Sequence, residues 1–171
     1  MNTLRGQKVI LQRFTLDDVT DTYIGWLNDP DVVRYSNQRF RRHDYDTCLS
    51  YLRSFDDGPN LFVSVRTFGG EPIGTMTVYR SLPHGTADVG ILIGKKCFWG
   101  GGFGQDAWNL MLGWLLGQPA IRKVTAGTLA CNRGMVRVME RSGMELEGVR
   151  RRQELVDGEP VDLMLYGKFA R

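Results

Sequence analysis

Residues 98–105 read F-W-G-G-G-F-G-Q and lie between a strand-like segment, 87–94, and a helix-like segment, 106–116. Glycine adopts positive φ without strain and lets a ligand approach the main chain closely. Backbone N–H groups of such a loop can converge on an anion, and the N-terminus of the following helix adds about half a positive charge. The stretch therefore indicates a phosphate-binding loop or, alternatively, an ordinary tight connection. No Gly-Lys-Ser/Thr follows it, and the flanking strands look antiparallel, so neither a Walker A motif nor a dinucleotide fingerprint is indicated.

Glycine is enriched around this loop. The chain has 21 glycines in 171 residues, about 12% against roughly 7% in average proteins, and five of them fall between Gly94 and Gly104. The length suits one ordinary domain, so we predict a single domain over residues 1–171. Hydrophobic residues make up 42% and charged residues 24%, which is typical of a globular protein with a buried core.

Charge and cysteine content exclude several classes of function. The net charge of +3 is too small to indicate nucleic-acid binding by itself, but it would suit a small anionic ligand. Three cysteines without a C-x-x-C pair, and only two histidines, indicate neither a disulfide framework nor a metal site. The most apolar stretch, 107–116, is far shorter than the roughly 20 residues that span a bilayer. We therefore expect a cytoplasmic protein that binds no metal, membrane or nucleic acid.

Hydrophobic periodicity outlines alternating strands and helices. Strands are predicted at 8–14, 61–67, 73–79, 87–94 and 123–129, followed by two strands around an Asp157-Gly158 turn. Helices are predicted from a Thr15 N-cap to Asn28, over 45–55, from Asp106 to Leu116, and over 133–141. These elements predict an α/β fold with a mixed, mostly antiparallel sheet of six to seven strands.

Three motifs resemble the GNAT superfamily of N-acetyltransferases, in particular its RimJ/RimL-like branch. Residues 99–107, W-G-G-G-F-G-Q-D-A, resemble the branch pattern W-G-[KR]-G-[YF]-[AG]-T-[ED]-A. Residues 132–144, N-R-G-M-V-R-V-M-E-R-S-G-M, are similar to N-x-x-S-x-x-[VL]-x-E-[KR]-x-G-[FM]. Residues 26–32, W-L-N-D-P-D-V, are similar to W-x-x-[DN]-P-x-[VI]. The motifs occur in the family's order and spacing and cover nearly the whole chain.

The resemblance implies a GNAT-like three-layer fold with helices on both faces of the sheet and acetyl-CoA as the acetyl donor. It implies a splay between the fourth and fifth predicted strands, 88–94 and 123–129, where the cofactor would lie. Main-chain groups of Ile91, Leu92 and Ile93 would pair with the pantetheine amides, as in addition of a strand to an open edge. The remaining cofactor-binding residues implied are Trp99, Gly100, Gly101, Gly102, Phe103, Gly104, Gln105, Asn132, Arg137 and Arg141.

Two positions depart from the family pattern. Gly101 replaces a basic residue of the loop, so backbone amides would do more of the phosphate binding. Met135 replaces the serine of the second motif, which leaves open what protonates the CoA thiolate. Asn132 would bond the cofactor or substrate or simply cap the next helix, and Arg137 and Arg141 would approach the adenosine phosphates or remain solvated.

Acetylation requires an uncharged amine, yet an alkylamine has a pKa near 10.4, so a base must accept its proton. The resemblance implies Asp88 for this role, since family members often carry an acid just before the core of the fourth strand, with Asn132 as a second catalytic residue. The alternative for Asp88 is a solvated residue or a turn cap at the start of the strand. Substrate binding is predicted for Trp26, Arg34, Tyr35 and Arg39. The arginines and aromatics of 33–42 would suit an anionic, ring-bearing amine such as a nucleotide-linked amino sugar, or a protein N-terminus.

The predicted function is direct acetyl transfer from acetyl-CoA to a primary amine: a ribosomal-protein or other N-terminus, or a small amine. The alternative is a non-catalytic acyl-CoA-binding member of the same fold. The predicted partners are acetyl-CoA and the amine acceptor, and a homodimer is compatible with the sequence.

Overall fold

The computed structural model describes residues 1–170, and a mixed β-sheet runs through them. Within this part of the chain the sheet has eight strands, which are β1 Leu4–Arg5, β2 Val9–Arg13, β3 Leu61–Thr67, β4 Pro72–Ser81, β5 Thr86–Ile93, β6 Lys123–Leu129, β7 Glu145–Val156 and β8 Glu159–Phe169. The α-helices are α1 Asp21–Asn28, α2 Tyr45–Arg53, α3 Phe103–Leu116 and α4 Arg133–Arg141. The strand order across the sheet is β1-β2-β3-β4-β5-β6-β8-β7.

The predicted splay lies between β5 and β6. These strands are parallel, whereas the other neighbouring strands pair antiparallel. Their described pairing ends after three residue pairs, Thr86↔Lys123, Ala87↔Val124 and Asp88↔Thr125. From Val89 onward β5 is paired only on its β4 side. The backbone groups along the other edge of β5 are therefore free to bind a ligand.

The prediction of six to seven strands was wrong by one. The additional strand, β1, has two residues and pairs with β2 through Leu4↔Leu11 and Arg5↔Ile10. A segment this short shows no alternation of apolar and polar residues, so its sequence gives no strand signal. The remaining seven strands correspond to the predicted segments.

Two helices begin elsewhere than predicted. Thr15 and Asp18 form a capping box around a single 3-10 turn, Leu16–Asp18, and α1 begins only at Asp21, after the cap residue Thr20. The buried Asp18 carboxylate pairs with Arg66 of β3, which ties this turn to the sheet and separates it from α1. Helix α3 begins at Phe103, three residues before the predicted Asp106, so Gly104 and Gln105 lie in its first turn.

Apolar residues form one core on each face of the sheet. On one face, α3 buries Trp108, Met111 and Leu115 against the strands. On the other face, α1 and α2 cover an aromatic cluster in which the Phe62 ring stacks on Phe14 at 4.2 Å and on Phe55 at 5.3 Å between ring centroids. Helices on both faces of a mixed sheet confirm the predicted three-layer α/β architecture.

Gly94, at the end of β5, is packed directly against a helix. A Cβ atom there would lie 2.0 Å from Cδ2 of Trp26, which is buried at 8% exposure. We expect Gly94→Ala to lower the free energy of unfolding by about 1–3 kcal/mol, because the indole ring must move out of a packed core. The change is measured as the shift of the urea midpoint.

Gly25→Ala in α1 is the matched control, since a Cβ at Gly25 meets nothing within 4 Å. Alanine is the better helix former, so this variant should be unchanged or slightly more stable. Equal stability of the two variants would show that Trp26 does not require glycine at position 94.

Candidate active site

A cleft of about 550 Å³, here called the splay cleft, opens where β5 and β6 separate. Its walls come from the end of β5, the glycine loop, the first turn of α3 and helix α4. Eleven of the predicted cofactor-binding residues line it: Ile91, Leu92, Ile93, Trp99, Gly100, Gly102, Gly104, Gln105, Asn132, Arg137 and Arg141. Sequence reasoning missed eight further lining residues: Asp31, Val32, Tyr35, Ser36, Phe98, Gly134, Met135 and Val138. Of these, Tyr35 and Met135 had been considered for other roles.

Two of the predicted cofactor-binding residues, Gly101 and Phe103, are not part of this lining. The Phe103 ring packs edge-on against Phe98 at 4.8 Å between centroids and joins the core beneath α3. A Cβ at Gly101 would lie 3.2 Å from that ring. Both residues therefore lie between the loop and the core and do not face the cleft.

The glycine loop has the backbone geometry of an anion site. Gly100 and Gly102 adopt φ of 73° and 81°, and Gly102 is the N-cap of α3. L-residues rarely adopt such angles, which explains why glycine stands at these two positions. Gly104 and Gln105 in the first turn of α3 line the splay cleft, so the N-terminus of this 14-residue helix lies at the cleft. This arrangement favours a phosphate group.

Hydrogen bonds hold the loop and the first turn of α3 in place. The Asp106 carboxylate accepts backbone N–H bonds from Gln7 at 3.1 Å, Lys8 at 2.7 Å and Val9 at 3.0 Å. The Trp99 indole donates to the Ile93 carbonyl oxygen at 2.7 Å. The first turn of α3 is thus tied to the N-terminal strands, and the start of the loop to the free end of β5.

Asn132 lies in the splay cleft and also caps α4. Its Oδ1 accepts the Met135 N–H at 3.2 Å, and its Nδ2 donates to Thr128 Oγ1 at 3.2 Å. Both ends of the amide therefore have protein partners, as expected for a helix cap. Met135 lines the cleft beside it, and its thioether side chain has no proton to donate.

Asp88 lies where β5 and β6 are still paired. Thr125 Oγ1 donates to its Oδ2 at 2.7 Å. Asp88 is an exposed residue, but partial desolvation of its carboxyl raises the pKa above its ordinary value, and the hydrogen bond from Thr125 acts in the opposite direction. Asp88 does not border the described clefts, but strand alternation places it on the same sheet face as Gly90, two residues further along β5.

A second cleft of about 300 Å³, here called the α1–α2 cleft, adjoins the splay cleft along β5. Its floor is formed by Thr75, Thr77 and Gly90, and its walls by α1, α2 and the segment 36–43 between them. Ile91, Leu92 and Ser36 line both clefts. The free stretch of β5 therefore borders both clefts.

The four residues predicted to bind substrate are dispersed. Tyr35 lines the splay cleft, whereas Trp26 is buried against Gly94. Arg34 pairs with Asp157 at 2.9 Å, and Arg39 donates to the Leu155 carbonyl oxygen at 2.9 Å. Both arginines thus contact the β7–β8 hairpin. Arg41 and Arg42, which belong to the predicted acceptor segment 33–42, line the α1–α2 cleft, and so does His43, for which no substrate role was predicted.

A splayed sheet edge, a glycine loop with the geometry of an anion site and a second cleft on the same strand give room for a phosphate-containing ligand beside a second molecule. Residues 8–145 match the family model of the acetyltransferase (GNAT) domain. The chain belongs to the GNAT acetyltransferase family. It is therefore an acyltransferase of the N-acetyltransferase type, with acetyl-CoA as the acetyl donor.

Solved structures of other acetyltransferases share this fold at low sequence identity. RimL, a ribosomal alpha-N-protein acetyltransferase in complex with coenzyme A, has 13% identity and a TM-score of 0.86 over 98% of both chains. Spermidine N-acetyltransferase from Vibrio cholerae, in complex with CoA and spermine, has 17% identity and a TM-score of 0.83 over 95% of both chains. A microcin self-immunity acetyltransferase in complex with acetyl-CoA and AMP has 16% identity and a TM-score of 0.82, covering 95% of this chain and 93% of that one.

No curated protein sequence matches the chain significantly. Within residues 1–170, no helix is both long and apolar enough to cross a membrane.

Proposed function

We propose that the protein transfers an acetyl group directly to a primary amine, with acetyl-CoA in the splay cleft and the amine in the α1–α2 cleft. The observation that carries this proposal is the meeting of the two clefts at Ile91, Leu92 and Ser36. Because the two clefts share only these three of the described residues and otherwise have separate linings, an amine can reach the thioester without entering the cofactor's path. Direct transfer requires no acetylated protein side chain.

The residues of the splay cleft fit acetyl-CoA. The free edge of β5 at 91–93 offers backbone groups to the pantetheine amides, apart from the Ile93 carbonyl oxygen, which accepts the Trp99 indole N–H. The N-terminus of α3 with Gly100 and Gly102 suits the pyrophosphate. Arg137 and Arg141 on α4 supply positive charge at the same cleft. When bound, acetyl-CoA supplies a thioester carbonyl that an amine can attack.

Asp88 is proposed as the base that prepares the amine. An alkylamine carries a proton at neutral pH, and Asp88 accepts it through a water molecule along the sheet face shared with Gly90. The amine nitrogen would then form a bond to the acetyl carbon while the carbon–sulfur bond breaks, and the nitrogen would release its second proton to solvent. Solvent protonates the thiolate, since Met135 cannot. Asn132 contributes by holding the first turn of α4 against the cleft.

The acceptor is proposed to be an N-terminus or a small amine. The motif resemblance to the RimJ/RimL-like branch favours a ribosomal-protein or other N-terminus. The structural relatives bound to spermine and to AMP favour small molecules, including amines such as a nucleotide-linked amino sugar. The sequence alternative, a non-catalytic acyl-CoA-binding protein, rests on Met135 in place of the family serine, whereas the family match assigns an acyltransferase. Cytoplasmic location and homodimer formation stay predictions from the sequence.

Thiol release from acetyl-CoA tests the proposed function. The wild-type protein is incubated with acetyl-CoA and, in turn, with ribosomal-protein N-terminal peptides, amino sugars, phosphorylated amines and polyamines. At least one group of amines should stimulate thiol release above the rate without amine. A protein that is stabilised by CoA, yet shows no stimulated release with any of these amines, would be the binding protein instead.

A further inference from the structure

We infer that the α1–α2 cleft selects a small primary amine that also carries a phosphate or carboxylate group, which Arg41 and Arg42 bind. The inference deepens the proposed function and rests on it for the identity of the cleft. Arg41, Arg42 and His43 form the rim of the cleft above a floor that includes Thr75 and Thr77. The residues that line it include no aspartate or glutamate.

Arg41 and Arg42 differ from the other two arginines of the same segment. Arg34 and Arg39 each lie within 4 Å of an acid of the β7–β8 hairpin, at 2.9 Å from Asp157 and 3.7 Å from Glu154. Among residues 1–170, Arg41 and Arg42 form no such ion pair. Their charges are therefore available to a ligand.

The nearest acid along the chain does not cancel this charge. Asp44 is exposed, and its carboxylate accepts the Thr47 N–H at 2.9 Å and the Thr47 hydroxyl at 2.7 Å as the N-cap of α2. Hydrogen bonds from Thr47 lower the pKa of Asp44, and the positive charge of Arg42 adds to this shift. Asp44 thus contributes one negative charge beside two arginines, outside the cleft lining.

Hydrogen bonds between the Asn28 side-chain amide and the His43 backbone hold the rim in position. Asn28 Nδ2 donates to the His43 carbonyl oxygen at 2.8 Å, and Asn28 Oδ1 accepts the His43 N–H at 2.9 Å. The same Nδ2 lies 3.1 Å from the Ile24 carbonyl oxygen, which fixes Asn28 on α1. The backbone that carries the two arginines is therefore anchored before a ligand binds, which reduces the entropy lost on binding.

Charge and size both limit the acceptor. A polyamine would bring several positive charges to two unpaired arginines without an acid in the lining, which is unfavourable. An anionic group would form charge-assisted hydrogen bonds with the guanidinium groups. The volume of about 300 Å³ is at the lower end for ligand pockets and favours a small molecule.

Matched amines test this inference. The probes are phosphoethanolamine with ethanolamine, glucosamine phosphate with glucosamine, a peptide with an acidic second residue and its alanine counterpart, and spermidine. We expect phosphoethanolamine and glucosamine phosphate each to have a higher kcat/KM than the unphosphorylated counterpart, and spermidine to be a poor substrate. Preference for the acidic peptide over the phosphorylated small amines would assign the anion site to a protein acceptor and overturn the small-molecule inference. A higher kcat/KM for neutral amines or spermidine would also overturn it.

The double variant Arg41→Gln/Arg42→Gln tests whether the rim causes the preference for phosphorylated amines. It should raise KM for phosphoethanolamine roughly 10-fold or more, because charged hydrogen bonds are lost, while KM for ethanolamine and the thermal shift with CoA stay unchanged. Arg5→Gln/Arg53→Gln removes the same charge from exposed sites outside the clefts and should leave KM unchanged. An unchanged KM in the rim variant would overturn the inference.

Binding separates this inference from the proposed function. Calorimetric titration of phosphoethanolamine into the CoA-bound wild-type and rim variant requires no turnover. Binding that depends on the two arginines, without acetyl transfer to any amine, would support the anion site and overturn the transferase mechanism. Acetyl transfer to amines without arginine-dependent binding would support the transferase mechanism and overturn the anion site.

Discussion

Gly102→Glu is expected to abolish the thermal stabilisation that coenzyme A gives to the wild-type protein. Gly102 is the N-cap of α3, lines the splay cleft and has φ of 81°. A glutamate there puts a negative charge where the loop and the helix N-terminus attract phosphate. Wild-type protein at a free CoA concentration of 100 times Kd gains about 2.7 kcal/mol of stability, and the variant should gain almost none. The measurement is the shift of Tm on addition of CoA.

Gly102→Gln is the matched control for this loss. Glutamine has nearly the same size as glutamate and imposes the same backbone strain at positive φ, but it carries no charge. It should lower the Tm of the free protein about as much as glutamate does, yet keep part of the response to CoA. A normal response to CoA in Gly102→Glu would contradict the assignment of the glycine loop as the phosphate site.

The second large effect is expected from Asp88→Asn, which should lower kcat by roughly 10²- to 10⁴-fold, as is typical for loss of a general base. The splay cleft is not altered, so the Tm shift with CoA should stay at the wild-type value. Asp17→Asn, a change of an exposed carboxylate on the Leu16–Asp18 turn, is the control and should retain full activity. Wild-type turnover of Asp88→Asn across the pH range would remove Asp88 from the mechanism.

The pH dependence of kcat/KM in the variant Thr125→Val also tests Asp88 as the base. Desolvation raises the pKa of Asp88, and the hydrogen bond from Thr125 limits that rise. A base is active only when deprotonated, so activity falls as the pH drops through the pKa of Asp88. Removing the hydroxyl should raise this pKa further and move the acidic limb of kcat/KM to higher pH. An acidic limb that moves to lower pH, or does not move, would contradict the assignment.

Local patterns in the sequence were sufficient to predict much of the fold and the cofactor cleft. The glycine loop, α4 and the β7–β8 hairpin each have a signal within a few consecutive residues, and the structure places them as predicted. Eleven of the predicted cofactor residues line the splay cleft because the loop, the end of β5 and the start of α4 follow the family's spacing.

The arginines that are available to bind the acceptor could not be predicted, because this depends on contacts between residues that lie far apart in the sequence. Nothing local distinguishes Arg34 and Arg39 from Arg41 and Arg42; the difference comes from hairpin residues more than 100 positions later. Likewise, the ion pair of Asp18 with Arg66 of β3 separates the first turn from α1. Trp26 is buried because its indole ring packs against Gly94. Such partners become visible only when the strands are assembled.

Transfer of a labelled acetyl group tests the central claim most directly. The protein is incubated with acetyl-CoA that carries an isotopically labelled acetyl group and with the best amine from the panel, and both protein and amine are analysed by mass spectrometry. Direct transfer predicts the label in an amide of the acceptor, one thiol released per amide, and no label on the protein at any time. Label on a protein side chain before it reaches the amine, or no labelled amide at all, would contradict the account.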